Sequence, residues 1–187
     1  MSYFSSAYLN IIIQSLILKD YNINMPKHEL IAVVKTAIKR LYTDDEGLIR
    51  RDLCERCLTH RLAFYLQVFL PGYFVDCEFN KSFYKDRVDR KVLSNIHGNY
   101  VDIIVHKRSS NYGENLLCFE IKKSKNKKDR DKDRENLRIL TAPDRFAYLL
   151  GFYVILGKTY QETKLELYNN SRFIEEIVLG VNNQEID

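Results

Sequence analysis

The sequence predicts an α/β or α+β fold, with helices packed on a central mixed sheet. Three observations predict it. Two long stretches in the first third carry apolar residues at helical spacing. Three stretches between residues 73 and 123 then alternate or run apolar in the manner of strands. After them come a further helical pattern and two more strand-like runs. The resulting order is helices, three strands, helix, strand, strand, helix.

The elements follow one another with few breaks. In "MPKHELIAVVKTAIKRLY", Leu30, Val33, Val34, Ile38 and Leu41 form one helical stripe, and Pro26 stands at its start. "TDDEG" is a break. "LIRRDLCERCLTHRLAFYLQVFL" reads as a second helix, with Leu53, Cys57, Leu58, Leu62, Tyr65, Leu66 and Phe69 on its apolar side, stopped by Pro71-Gly72. "YFVDCEFN" alternates as a strand. "KSFYKDRVDRKVLSNIHGN" is polar, with His97-Gly98-Asn99 as a turn. "YVDIIVHKR" and "NLLCFEIKK" are the next two strands, joined through "SSNYGE" as a hairpin turn. "RENLRILTAPDRFAYLLGFYVILG" reads as a helix, a break at Pro143 and another apolar strand. "TKLELYNN" reads as one more strand and "SRFIEEIVLG" as a C-terminal helix.

At 187 residues the chain suits one main domain, residues 47–187, preceded by a helical extension over residues 1–46. Its apolar fraction of 45%, with 13 Tyr and 10 Phe, supplies a core and excludes wholesale disorder. Met1 to Leu18 carries no charged residue. Ser, Asn and Gln interrupt it, and it falls short of the roughly 20 apolar residues of a spanning helix. The expectation is no membrane insertion, but a buried helix or a face that meets a second copy or a partner protein. Cys54, Cys57, Cys77 and Cys118 read as reduced thiols of a cytoplasmic protein. Cys54, Cys57 and His60 have the spacing C-x2-C-x2-H, but zinc needs a fourth ligand and a bent geometry. Cys54 and Cys57 therefore read as small buried hydrophobes, and Cys118 as core.

The net charge of +4 is modest, but its placement is uneven. Nine Lys or Arg and four Asp or Glu lie between Lys122 and Arg138, a local excess of five positive charges. Alone, such a run reads as a solvated helix face. Beside a phosphate-handling site it would hold a polyanion backbone through Lys123, Lys125, Lys127, Lys128 and Arg130, with Arg61 reaching in from the helix.

The chemistry concentrates in three residues. Period two places Asp102 on one face of its strand, and Glu120 and Lys122 on one face of the next. A hairpin can bring them together. Two carboxylates on an apolar sheet repel each other, and burial raises the cost. A divalent cation offsets them, and carboxylate oxygens suit Mg²⁺, with Mn²⁺ as a substitute. Lys122 adds a fixed positive charge. Such a set can activate a water and neutralise charge developing on a phosphate. Glu55 lies beside the stripe of Leu58 and Leu62, either at the rim of the packed face or reaching into the site. Its plainer reading is a surface acid pairing with Arg51 or Arg56. Glu78, His60 and His106 are further polar residues near these strands, read first as structural.

Asp102, then Glu120-Ile121-Lys122, with Glu55 on a preceding helix, resembles the PD-(D/E)XK nuclease superfamily, also called restriction-endonuclease-like. The wider stretch, "ERCLTHRLAFYLQVFLPGYFVDCEFNK", "VDIIVHKR" and "NLLCFEIKKS", looks like a small bacterial branch of it. The resemblance runs over about Asp52 to Gly151 and is silent on the first 45 residues. It implies a restriction-endonuclease-like core over residues 47–187, a central mixed four-stranded sheet flanked by helices, with the N-terminal helices as an addition. It also implies roles. Asp102 and Glu120 would bind Mg²⁺ with the Ile121 carbonyl and Glu55, and Lys122 would be the catalytic lysine. Where the family has a proline before the aspartate, this chain has Val101.

The expected function is a Mg²⁺-dependent endonuclease that hydrolyses phosphodiester bonds, with DNA as substrate. The competing expectation is a nuclease-like domain that binds nucleic acid or a protein without cutting, as a subunit or effector. A purely structural assembly role ranks last, because it leaves the acid–lysine set unexplained.

Overall fold

In the computed structural model, α1 (Lys27–Asp44) turns Leu30, Val34, Ala37, Ile38 and Leu41 inward, the stripe expected from its spacing. The model describes residues 25–79, 81–84, 87–90, 100–108 and 114–180. The uncharged stretch Met1 to Leu18, the His97–Asn99 turn and most of the "SSNYGE" turn lie outside them.

The second helix of the sequence reading is two helices, α2 (Glu46–Arg50) and α3 (Glu55–Phe69). The break has a local cause. Asp52 adopts a left-handed backbone with φ of 56°. Leu53 N–H donates to Leu48 O at 3.1 Å and Asp52 N–H to Ile49 O at 3.0 Å. That is a Schellman closure with Asp where Gly is commoner. The chain then leaves in an extended conformation at Cys54, the residue that precedes α3. As a result Leu53, Cys54 and Cys57 are exposed, not part of the apolar stripe.

The main sheet has six strands among the described residues, where four were expected. They are β1 (Phe74–Phe79), β4 (Val101–His106), β5 (Asn115–Lys123), β6 (Leu150–Leu156), β7 (Lys164–Asn169) and β8 (Arg172–Val178), in spatial order β1-β4-β5-β6-β7-β8. Only the β5–β6 pair is parallel, so the sheet is mixed. A parallel pair needs a crossover, and α4 (Arg130–Leu140) supplies it. Within the segment read as merely polar, β2 (Lys81–Tyr84) and β3 (Arg87–Arg90) pair as a separate hairpin.

The C-terminal helix of the sequence reading is instead β8. Phe173, Ile174, Ile177 and Val178 fit either period, so the preceding turn decides. Asn170 and Ser171 have φ of 49° and 62°, and Asn169 pairs with Arg172 across them. Two left-handed residues between paired neighbours make the tight hairpin turn that matches strand twist. Once β7 turns back on itself, its neighbour must be a strand.

The sheet has a core on each face. On one, Ile103, Val105, Leu117, Phe119, Ile121 and Phe152 pack with the buried stripes of α1 and α3. Phe119 and Phe152 stack with ring centroids 5.1 Å apart. On the other, Ile104, Cys118, Tyr153 and Tyr168 pack with Leu137 and Leu140 of α4. Arg134 fastens α4 to the sheet through a forked pair on Glu166, at 2.6 and 2.9 Å. Beyond the end of α4, Thr141 hydroxyl donates to Leu137 O and accepts the Ser171 N–H at 3.2 Å. Thr141→Val is expected to strand that amide and cost about 1 kcal/mol, readable by urea unfolding. No helix among the described residues is long and apolar enough to cross a membrane.

Candidate active site

β4 and β5 run antiparallel, with Ile103 opposite Phe119. Asp102 and Glu120 follow this last pair, and alternation sets both on the face of Ile104 and Cys118. Glu120 is in turn opposite Tyr153 on β6. The alternation that sends Phe119 and Ile121 to the α3 side sends Glu120 and Lys122 to the α4 side. These residues sit where β4 begins and β5 ends, and the first turn of α3 reaches the same place. Glu55, Asp102, Glu120, Ile121 and Lys122 thus line one open cavity of about 780 Å³. The structure brings together all five residues expected to bind metal or catalyse.

Each acid has a defined partner. Ile121 N–H donates to Asp102 Oδ2 at 2.7 Å. Asn136 Nδ2 donates to Glu120 Oε1 at 3.1 Å. Asn126 Nδ2 donates to Glu55 Oε1 at 2.5 Å. Lys122 Nζ lies 3.2 Å from Asp133 Oδ2, an ionic contact without hydrogen-bond geometry.

Sequence reasoning missed Asp133, Asn136 and Asn126. A signal existed for the first two. Asp133 is four residues before Leu137 and Asn136 four before Leu140, so the buried stripe of α4 carries them inward.

The charges conflict. Glu120 is 3% exposed. Burial, then the Asp102 and Asp133 carboxylates, raise its pKa well above the usual carboxylate value, against Asn136 and Lys122. Asp102 is pushed up to about 6, chiefly by burial, although the Ile121 N–H and Lys122 oppose the shift. Burial also pushes Asp133 up, against the pull of Lys122. For Lys122 burial works downward, but Asp133, Asp102 and Glu55 outweigh it and hold the ammonium above its ordinary value. At neutral pH it is a cation.

The basic residues expected to touch nucleic acid are mostly engaged within the protein. Lys123 pairs with Asp52 and donates to Leu53 O at 2.8 Å. Lys125 pairs with Asp52 as well. Arg130 donates to Asn126 O at 2.9 Å and Ser124 O at 2.8 Å, which holds the turn after β5. Arg61 pairs with Asp45 at 2.7 Å and donates to Tyr65, and it does not line the cavity. Lys127 and Lys128 are exposed. The cavity has other cationic or basic walls, namely Arg56, His60 and Lys132. Arg56 pairs there with Glu78 at 2.8 Å. His106 lies elsewhere, buried against Asp76 at 2.8 Å.

The donors fit a hard divalent cation in kind: carboxylate oxygens, half-buried or buried, with surplus negative charge and a buried Asp133 oxygen that has only Lys122. Among the described residues, no three His, Cys, Asp or Glu side chains converge closely enough to hold an ion as they stand. Glu55, turned to Asn126, would have to release that amide to join. No family model matches this sequence, and no curated protein or solved structure matches it.

Proposed function

We propose that the protein is a Mg²⁺-dependent nuclease that hydrolyses phosphodiester bonds in nucleic acid, with DNA as the expected substrate. One observation carries this reading: a buried and a half-buried carboxylate on adjacent strands, Glu120 and Asp102, share an open cavity with a cationic lysine and a third acid.

Asp102 and Glu120 would hold Mg²⁺, or Mn²⁺, with the Ile121 carbonyl and Glu55 completing the protein's share. The cation would supply Lewis acidity at the scissile phosphate and lower the pKa of the attacking water. The chain's own residues do the rest. Asn136 and the Ile121 N–H each hold one oxygen of the two carboxylates, leaving the other oxygen of each for the cation. Lys122, cationic and anchored by Asp133, acts as a fixed positive charge that orients water or neutralises the phosphorane-like transition state. In that protonation state it does not act as a base. Arg56, His60 and Lys132 give the cavity wall groups that attract a phosphate backbone.

A non-cleaving binding domain is the second reading. It draws on the Lys122–Asp133 contact, which already occupies the lysine, and on the acids, no three of which converge on one point among the described residues. Incubation with plasmid, single-stranded DNA and RNA, each with Mg²⁺ or with chelator, separates the two. The nuclease reading expects metal-dependent cleavage of at least one substrate. Salt-sensitive binding without cleavage of any of them supports the alternative.

The raised acids also give a pH dependence. A proton and a cation compete for the same oxygens. Mg²⁺ binding is therefore expected to weaken as pH falls through about 6, where Asp102 takes up its proton. Calorimetric titrations between pH 8 and pH 5 should show affinity dropping by roughly tenfold per unit at the acid end. A flat profile would separate the cation from these acids.

A further inference from the structure

Cys54 and Cys57 flank the turn that starts α3. Their sulfurs lie 3.2 Å apart, and both side chains are exposed. The Cys57 N–H donates to Cys54 O at 3.1 Å, so the backbone already holds the two side chains together. A disulfide needs about 2.05 Å between sulfurs, a closure of little more than a rotamer adjustment. Nothing in the fold uses the pair as core. Cys118, by contrast, is buried between β4 and β6.

We propose that Cys54 and Cys57 form a thiol–disulfide exchange site, which low-molecular-weight disulfides such as oxidised glutathione convert reversibly to an intrachain disulfide. One cysteine thiolate attacks the glutathione disulfide, forming a mixed disulfide and releasing one glutathione thiolate. The second cysteine attacks the protein-side sulfur of that bond and expels the second glutathione. Its proton, like that of the first thiol, passes to solvent or to the leaving thiolate. Two protein thiols are oxidised, and one glutathione disulfide is reduced to two thiols. The separation of three residues makes the second step intramolecular and fast relative to trapping of the mixed disulfide. The site stands independently of the nuclease reading, because exchange is read without metal or nucleic acid.

The test uses the full chain, folded, in oxidised glutathione. Remaining thiols are then blocked by alkylation and the protein is digested with trypsin. Cleavage after Arg51, Arg56 and Arg61 separates "DLCER" from "CLTHR". The expected product is these two peptides joined by a disulfide, with loss of two of the four titratable thiols. Dithiothreitol should restore both thiols. In Cys57→Ser, glutathione should remain trapped on Cys54. Recovery of both peptides alkylated, or of either cysteine joined to Cys77, would overturn the proposal.

Discussion

Lys122→Ala is expected to lower Mg²⁺-dependent cleavage by about 10²- to 10⁴-fold while the protein still folds. Lys122 is the cation that lies among Asp102, Asp133 and Glu55. Arg56, His60 and Lys132 line the same cavity, but Lys122 is the cation that shares the strand face of Glu120. Its loss has a structural side as well. Asp133 is buried on α4 and would lose its ionic contact. That acid can take up a proton, so the stability cost should stay near 1–3 kcal/mol and leave a cooperative thermal transition. Asp102→Ala should abolish cleavage equally. Cleavage rates unchanged in both variants, at matched purity, would remove the nuclease reading.

Glu120→Gln is expected to abolish cleavage and, without metal, to stabilise the fold. A glutamine keeps the shape and still accepts the Asn136 amide. It removes a charge that burial and two neighbouring carboxylates disfavour. Functional sites commonly store such conflict, and its relief is worth about 0.5–2 kcal/mol. The sign in pH follows from linkage. An acid whose pKa is raised by folding is more protonated in the folded state than in the unfolded one. Its contribution to stability is then favourable at low pH and is lost as pH rises through the two pKa values. The gain from Glu120→Gln should therefore be largest near pH 8 and shrink as pH falls, vanishing only below the ordinary glutamate pKa of 4.5, where both states of the wild type are protonated. Thermal melts across that range measure it. A variant less stable than wild type at pH 8 would mean that the carboxylate is a structural group.

The central part of the site was legible in the sequence because strands have a strict period. Once "YVDIIVHKR" and "NLLCFEIKK" are adjacent strands, alternation puts Glu120 and Lys122 on one side and permits Asp102 to join them, and the register of Ile103 with Phe119 is the one that does so. The place of Glu55 beside Leu58 and Leu62 left it open between a surface acid and a site residue, and only the family resemblance pointed it at the cavity it lines. Asp133 and Asn136 were hidden in a run of alternating charge, which reads as solvent-exposed until the crossover helix is laid on the sheet. The assignment of Lys123, Lys125 and Arg61 to a nucleic-acid surface counted charges without their partners. Asp52 and Asp45 reach them only through the fold.

Of the fold, the helical stripe of α1, the strands β1, β4 and β5, the helix α4 and the strands β6 and β7 were visible as periodicity. The break between α2 and α3 and the strand identity of β8 were not. Both turn on left-handed residues that are not glycine, Asp52 in one case and Asn170 with Ser171 in the other. A reading that looks for Gly and Pro passes over them. Leu53, Cys54 and Cys57 became surface residues for the same reason.

Whether Asp102 and Glu120 hold a divalent cation is decided by calorimetric titration of Mg²⁺ into the wild-type protein and into Asp102→Asn/Glu120→Gln, with and without a short DNA duplex. Saturable binding is expected in the wild type and should disappear in the double variant, although that variant folds at least as stably. Equal binding in the two proteins, or none in either with DNA present, would rule out a cation on these two acids and leave them a structural feature of the sheet.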